Sequence, residues 1–242
     1  MMRLPLLDPD EPDRFPDPGH ALADPNGLLA FGGDLSPRRL LAAYRKGIFP
    51  WFGEGEPILW WSPDPRCVFP TAALRINRSL RRQLRDKPWR LSVDHAFEQV
   101  IRACAAPRAN DSGTWLVPAM LDAYVRLHKL GHAHSVEVWD GERLVGGIYG
   151  VAVGRLFCGE SMFSAESGSS KLALVALAQL LHEMDFPLLD AQVSNAHTLG
   201  LGAIEMPRME FLRQVAQLGR MPGLAGSWAD FTPRLLQPGA GG

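Results

Sequence analysis

The chain has 242 residues, 46% of them hydrophobic and 21% charged, with a formal net charge of −1. That length supports one large domain or two modest ones, and the near-neutral balance excludes a globally basic nucleic-acid binder while leaving room for a local basic patch. No apolar run reaches the roughly 18 residues of a membrane span, and Cys67, Cys104 and Cys158 are too few and scattered for a disulfide framework or a zinc site. The start, MMRLPLLDPDEPDRFPDPG, is acidic and proline-rich. It lacks the apolar core and cleavage site of a secretory leader, so a cytoplasmic, reducing setting is expected.

Turn chemistry runs through residues 1–34, around a short apolar piece at Leu28–Phe31 expected to be a brief strand or 3₁₀ turn. A helix follows, with Ser36 as N-cap, Pro37 at its first position, Gly47 beyond its end and Leu40, Leu41 and Tyr44 as its apolar stripe. Residues 47–66, GIFPWFGEGEPILWWSPDPR, concentrate Trp51, Trp60 and Trp61 among prolines. Such a stretch is either a proline-braced packing surface or an aromatic wall for a planar ligand such as a nucleobase.

Residues 75–90 hold Arg75, Arg78, Arg81, Arg82, Arg85, Lys87 and Arg90 against one acid, Asp86. The pattern predicts a helix from Arg78 that buries Leu80 and Leu84. Its arginines are either a solvated face or a grip for a phosphate backbone. A strand at Trp89–Val93 and a helix capped by Asp94 and running to about Ala105 come next, then a loop over 106–113. A helix over Pro118–Lys129 stops at Gly131. The strand HAHSVEVW, an Asp140-Gly141 turn and RLVGGIYGVA predict a hairpin, and RLFCGE a third strand. Ser169 or Ser170 is expected to cap a helix to about Met184. The strand PLLDAQV, a short helix near 196–201 and a helix from Pro207 to Gly219 complete the order, with an irregular, partly disordered tail from about 220. The sum is α+β, a mostly antiparallel sheet carrying helices.

Several chemistries lack their signatures. The chain has no P-loop sequence, no dinucleotide glycine fingerprint and no nucleophile elbow around Ser161. His128, His132 and His134 have no acid or cysteine at ligand spacing, and Cys158 has no basic neighbour to make it a thiolate. Glu160, Asp190 and Gln192 remain, near strand ends and set among apolar residues. They are either a satisfied polar cluster closing the sheet or groups that hold a cationic substrate and orient an amine. The string LLDAQVSNAHTLGLGA is similar to the late strand–helix unit of GNAT-like N-acyltransferases. The loop CGESMFSAES, however, lacks the Arg/Gln-x-x-Gly-x-Gly pattern of a coenzyme A site.

Seven ordered motifs carry a broader resemblance: PNGLLAFGGDLSPRRLLAAYRKGIFPWF (25–52), PILWWSPDPR (57–66), TWLVPAMLDAYVRLHKLGHAHSVEVW (114–139), LVGGIYGVAVGRLFCGESMFS (144–164), SSKLALVAL (169–177), LLDAQVSNAH (188–197) and LGAIEMPR (201–208). On these the chain resembles the leucyl/phenylalanyl-tRNA–protein transferase family. The resemblance implies a small N-terminal domain, placed over 1–70, packed on a GNAT-like catalytic domain over 71–242. It implies transfer of leucine or phenylalanine, less well methionine, from aminoacyl-tRNA to proteins beginning with Arg or Lys, which marks them for degradation.

By the same resemblance Asp190 and Gln192 match the catalytic pair and Glu160 a second acid. Trp51, Trp115 and Tyr124 match aromatic positions around the aminoacyl-adenosine, and Ile148, Met162, Leu174, Leu177 and Leu189 a side-chain pocket. Asp190 would orient Gln192, whose side-chain oxygen would face the amine. Glu160 or Asp190 would face the acceptor's basic side chain, and Arg75, Arg78, Arg81, Arg82, Arg85 and Lys87 would hold tRNA phosphates. No cofactor, metal or membrane is expected, and a monomer is. Ala165 replaces an arginine usual in the family, and Thr198–Gly202 departs from its Leu-x-Ser-Leu-Gly pattern. A coenzyme-A-dependent acetyltransferase and a non-catalytic tRNA-binding module are the two alternatives.

Overall fold

The structure, a computed structural model, describes residues 4–73, 87–106, 116–224 and 226–231. The first unit of the chain builds a four-stranded sheet from β1 (Leu6–Leu7), β2 (Leu28–Gly32), β3 (Phe49–Pro50) and β4 (Leu59–Trp61), in the order β1-β2-β4-β3. Helix α1 (Pro37–Tyr44) lies between β2 and β3. Ser36 caps it by accepting from the Arg39 N–H, and Leu40, Leu41 and Tyr44 are buried, as the stripe predicts.

The following strand, β5 (Arg66–Pro70), leaves this unit and joins a seven-stranded sheet. The other members are β6 (Trp89–Val93), β7 (Ala133–Asp140), β8 (Arg143–Val153), β9 (Leu156–Ser164), β10 (Leu188–Gln192) and β11 (Ile204–Met206), and the order is β11-β5-β10-β9-β8-β7-β6. Neighbours are antiparallel except β9 and β10, which run parallel. A parallel pair needs a crossover, supplied by α4 (Ser169–Glu183), which follows α2 (Phe97–Ala105) and α3 (Pro118–Lys129) along the chain. Two short elements, α5 (Ala196–Gly200) and α6 (Arg208–Leu218), flank β11.

Both faces of the large sheet are covered, so its strands read as near-continuous apolar runs. Along β8, Tyr149, Val151 and Val153 enter one core with residues of α1, α2 and α3, while Ile148 and Ala152 enter a second core with α4. Two strand glycines have the reason expected of them. A Cβ on Gly146 would stand 2.4 Å from Ser169 Oγ at the start of α4, and one on Gly150 would stand 2.2 Å from the Cys158 carbonyl.

Two local expectations are corrected. Asp94 does not cap α2, whose N-cap is Ala96. It sits instead at φ 57, and its carboxylate accepts from His134 Nδ1 (2.8 Å), the Ser135 N–H (2.9 Å) and the Trp228 N–H (2.8 Å). The N-cap of α4 is Gly168, at φ 90, because the Ser169 hydroxyl is spent on the Val145 carbonyl. Of the tail, residues 221–224 and 226–231 are described; they are irregular and anchored, and the rest of the tail lies outside the described residues. Trp228 is buried, stacked 3.7 Å from the His134 ring and edge-on to Phe186. The helix predicted from Arg78 and the loop over 107–113 lie outside the described residues.

Candidate active site

Two irregularities at the parallel pair shape the site. β9 and β10 run in register from Leu156 and Leu188 to Cys158 and Asp190. Beyond that point β9 carries one extra residue. Gly159 lies opposite Gly150 and Ser161 opposite Tyr149, which leaves Glu160 as the bulge. The bulge resets the alternation of side chains. Glu160 turns toward α1 and α3, whereas Met162, two residues on, packs into the core under α4. On β10 the register against β5 shifts between Asp190 and Gln192, and Gln192 adopts φ 63. A left-handed glutamine costs about 1–2 kcal/mol, so something must hold it there.

Asp190 does so. Its Oδ1 accepts from the Gln192 N–H at 2.9 Å. The carboxylate is held by Arg66 of β5 through Nε to Oδ1 (2.7 Å) and Nη2 to Oδ2 (2.6 Å), with both side chains buried. The guanidinium lies between the rings of Phe49 (4.8 Å) and Phe211 (4.6 Å). Bidentate geometry and two aromatic faces offset the desolvation of a buried pair. Asp190 is therefore a neutralised anchor. The expectation that it might face the acceptor's basic side chain fails, because Arg66 already occupies both of its oxygens.

Glu160 is differently placed. Its Oε1 accepts from Tyr44 (2.8 Å) and from Gln192 Nε2 (2.9 Å), and its Oε2 lies 2.6 Å from the Tyr124 hydroxyl. The two tyrosine oxygens are 2.7 Å apart. Burial pushes the carboxyl up to about 7, against the downward pull of the two tyrosines. With Nε2 of Gln192 committed to Glu160, its side-chain oxygen is left as a free acceptor among the described residues. Glu160 and Gln192 open on a cavity of about 260 Å³ whose other walls are Phe49, Pro50, Trp51, Ala191 and Val193. Trp51 is 45% exposed, tilted against Trp61, whose indole N–H donates to the Trp51 carbonyl. Trp60 is fully buried and donates to Gly32, so the tryptophan-rich stretch divides between packing and wall.

Of the residues singled out by sequence, the structure brings Glu160, Gln192 and Trp51 to this cavity. Tyr124 is not on its surface: the ring is buried and its hydroxyl reaches Glu160 from behind. Ile148, Leu174, Leu177 and Leu189 are buried together between the sheet and α4, with Met162 partly buried against them. Lys87 is exposed and bonds Glu166 at 2.7 Å. Trp115, Arg75, Arg78, Arg81, Arg82 and Arg85 lie outside the described residues. Sequence reasoning passed over Arg66 and Tyr44. Arg66 had a signal, as the one basic residue in 47–66 and the start of an apolar run. Tyr44 read only as part of the α1 stripe.

Comparison with known proteins bears directly on this arrangement. A family profile described as "Leucyl/phenylalanyl-tRNA protein transferase" matches residues 68–216, and its N-terminal-domain profile matches 33–64. A relative of that name from Xanthomonas axonopodis pv. citri is 60% identical over 93% of this chain and 90% of its own. The chain belongs to the leucyl/phenylalanyl-tRNA–protein transferase family. Another member, from Shewanella woodyi, is 52% identical over 90% of this chain and 93% of its own. Among solved structures, a conserved protein of unknown function from Bacteroides thetaiotaomicron aligns over 65% of this chain and 56% of its own, at 12% identity and a TM-score of 0.45. Within the family assignment, Glu160, Gln192 and Trp51 share one cavity wall, and Asp190 stands behind it.

Proposed function

We propose that the chain moves leucine or phenylalanine, and less well methionine, from aminoacyl-tRNA to the α-amine of proteins that begin with Arg or Lys, marking them for degradation. Family membership supports the reaction class. The observation that carries the site is the cavity on which a free amide oxygen, Gln192 Oε1, and the single carboxyl of its lining, Glu160, lie side by side next to the exposed indole of Trp51. An aminoacyl ester is already activated, and an α-amine has an ordinary pKa of roughly 7.7–8.0, so a useful fraction is neutral near pH 7. Neither a strong base nor a cofactor is required. Holding amine and ester in attack geometry supplies roughly 7–11 kcal/mol.

In this mechanism the amine accepts no help from Asp190 directly. Asp190 and Arg66 hold the left-handed Gln192, whose oxygen accepts a hydrogen bond from the amine. The nitrogen attacks the ester carbonyl, the bond to the ribose oxygen breaks, and the amine's proton ends on that oxygen. Trp51, with Trp115 and Tyr124, is assigned to the aminoacyl-adenosine end, Tyr124 acting through Glu160. Ile148, Met162, Leu174, Leu177 and Leu189 are assigned to the pocket for the transferred side chain, although they pack in the core under α4 and none of them lines the cavity beside Glu160. An apolar pocket discriminates by about 1–3 kcal/mol per methylene, which fits leakage to methionine. Arg75, Arg78, Arg81, Arg82, Arg85 and Lys87 are assigned to acceptor-stem phosphates.

The large sheet with its parallel β9–α4–β10 unit and bulged β9 supports a GNAT-like catalytic domain beside a small N-terminal one. The proposed division is 1–70 and 71–242, with β5 (Arg66–Pro70) already pairing within the large sheet. A monomer is part of the proposal. Among the described residues no helix is long and apolar enough to cross a membrane; work in the cytoplasm is part of the proposal. Labelled leucyl-tRNA mixed with a protein bearing N-terminal Arg tests the whole. Label should enter the protein, and Gln192→Ala should cut turnover about 100-fold with folding intact. Wild-type turnover in that variant would remove Gln192 from the mechanism.

A further inference from the structure

The three oxygen–oxygen contacts among Tyr44, Tyr124 and Glu160 close a ring: Tyr44 to Glu160 Oε1, Glu160 Oε2 to Tyr124, and Tyr124 back to Tyr44. Each contact, at 2.6–2.8 Å, needs one hydrogen between its oxygens. The two tyrosines supply two. With Glu160 ionised, one contact is left as two facing lone pairs. A carboxylic hydrogen on Glu160 Oε2 fills the set: it points at Tyr124, whose hydrogen points at Tyr44, whose hydrogen points at Oε1. The Gln192 amide brings its own hydrogen to Oε1 and does not alter the count.

We propose that this ring holds one carboxylic proton on Glu160 in the free enzyme and gives it up when a cationic acceptor enters the cavity, so that Tyr44 and Tyr124 are positioning residues for acceptor selection. This deepens the function proposed above and rests on it. The groups around Glu160 support the same account. Tyr44 comes from α1, Tyr124 from α3, Tyr149 from β8 and Cys158 from β9, and all four are buried and neutral, their pKa values raised by burial first. Asp190 of β10 and Arg66 of β5 face it as a closed ion pair whose charges oppose each other. Among the described residues Glu160 is thus the one carboxyl that the lining of the cavity offers to a cation. The basic side chain of an acceptor beginning with Arg or Lys supplies the opposite charge that favours ionisation, and the proton leaves through the cavity to water. A neutral first residue brings no such charge, and the carboxyl stays protonated. Selection of Arg and Lys then resides in an ionisation, not in a standing negative charge.

Titration of a short peptide with N-terminal Arg into the enzyme at about pH 6, by calorimetry in two buffers of different ionisation enthalpy, counts the protons released. The peptide's own amine contributes equally to wild type and Glu160→Gln. Wild type is expected to release up to about one proton more than the variant. Infrared difference spectra should show a protonated-carboxyl band in the free enzyme that is lost on peptide binding and missing from Glu160→Gln. Equal proton release by wild type and variant, or no such band in free wild type at about pH 6, would overturn the proposal. Should Glu160→Gln fail to bind peptide, the free wild-type band decides alone: its loss between about pH 6 and about pH 8 supports the ring, and its absence sinks it. Failure of the underlying function is distinguishable, since leucyl-tRNA would then give no labelled protein whatever the proton count.

Discussion

Two polar clusters interrupt the same sheet, and only one of them opens. The first contains Glu160, Gln192, Tyr44, Tyr124 and the Arg66–Asp190 pair. The second, toward the β6 edge, contains Asp94, His134, Ser135, Ser92 and Glu137. Each has a non-glycine residue in the left-handed region, Gln192 at φ 63 and Asp94 at φ 57. Each has an acid pushed up by burial, Glu160 in one and Glu137 in the other. In the second cluster the partners found among the described residues are internal. Ser92 and Ser135 donate to Glu137, and Asp94, which burial would raise, is held low by His134 and two backbone N–H groups. Trp228 then lies flat on His134. Strain and a buried carboxyl are therefore not signs of chemistry by themselves. What separates the clusters is the cavity beside Glu160 and the unspent oxygen of Gln192.

The sharpest break of that contrast is at Arg66. Arg66→Met leaves Asp190 as a buried, uncompensated charge and should cost about 3–5 kcal/mol of stability. Gln192 loses its support as well, so turnover should fall in whatever fraction stays folded. Urea unfolding and transfer assays on the same preparation check both, and an unchanged turnover would show that the pair holds nothing the reaction needs.

The second cluster should respond in stability alone. Trp228→Ala empties a buried site and should cost about 3 kcal/mol or more, yet turnover per folded molecule should match wild type. A loss of turnover far beyond the folded fraction would mean that the tail communicates with the cavity.

The smallest of these effects is the pH dependence contributed by Glu160. Its carboxyl stands at about 7 when folded, against an ordinary 4.5. Below 4.5 it is protonated in both states. As pH rises toward 7 the unfolded chain loses that proton and the folded chain keeps it, so stability falls across this window and levels off above it. The total is at most about 3 kcal/mol. Glu160→Gln has no such proton to lose, so urea midpoints should place it closer to or above wild type at about pH 8 than at about pH 5. Parallel curves for the two proteins would mean that Glu160 titrates normally.

Much of this protein is legible in short range. The caps and breakers around α1 and α3, the β7–β8 hairpin, the capping box at Asn195 and the apolar run of α4 are each specified by residues a few positions apart, and each element forms where its residues predict it. Glu160 and Gln192 could be singled out because polar groups at the ends of apolar strands require partners. Who those partners are was not legible. Arg66 and Asp190 are 124 positions apart, Tyr44 and Glu160 are 116 apart, and a one-residue bulge decides that Glu160 and Met162 face opposite sides of the sheet. The same holds for Asp94, which reads locally as a helix cap until His134 and Trp228 claim it from 40 and 134 residues away. Local hydrogen bonds and side-chain periodicity are properties of neighbouring residues, so sequence alone determined those elements and the family, while β3, β4, β5 and β11 had no local signal that was read. Which carboxyl is paired, which stays open to a cavity, and which keeps its proton depend on burial and on groups that meet only after the sheet closes, and those the tertiary structure alone decided.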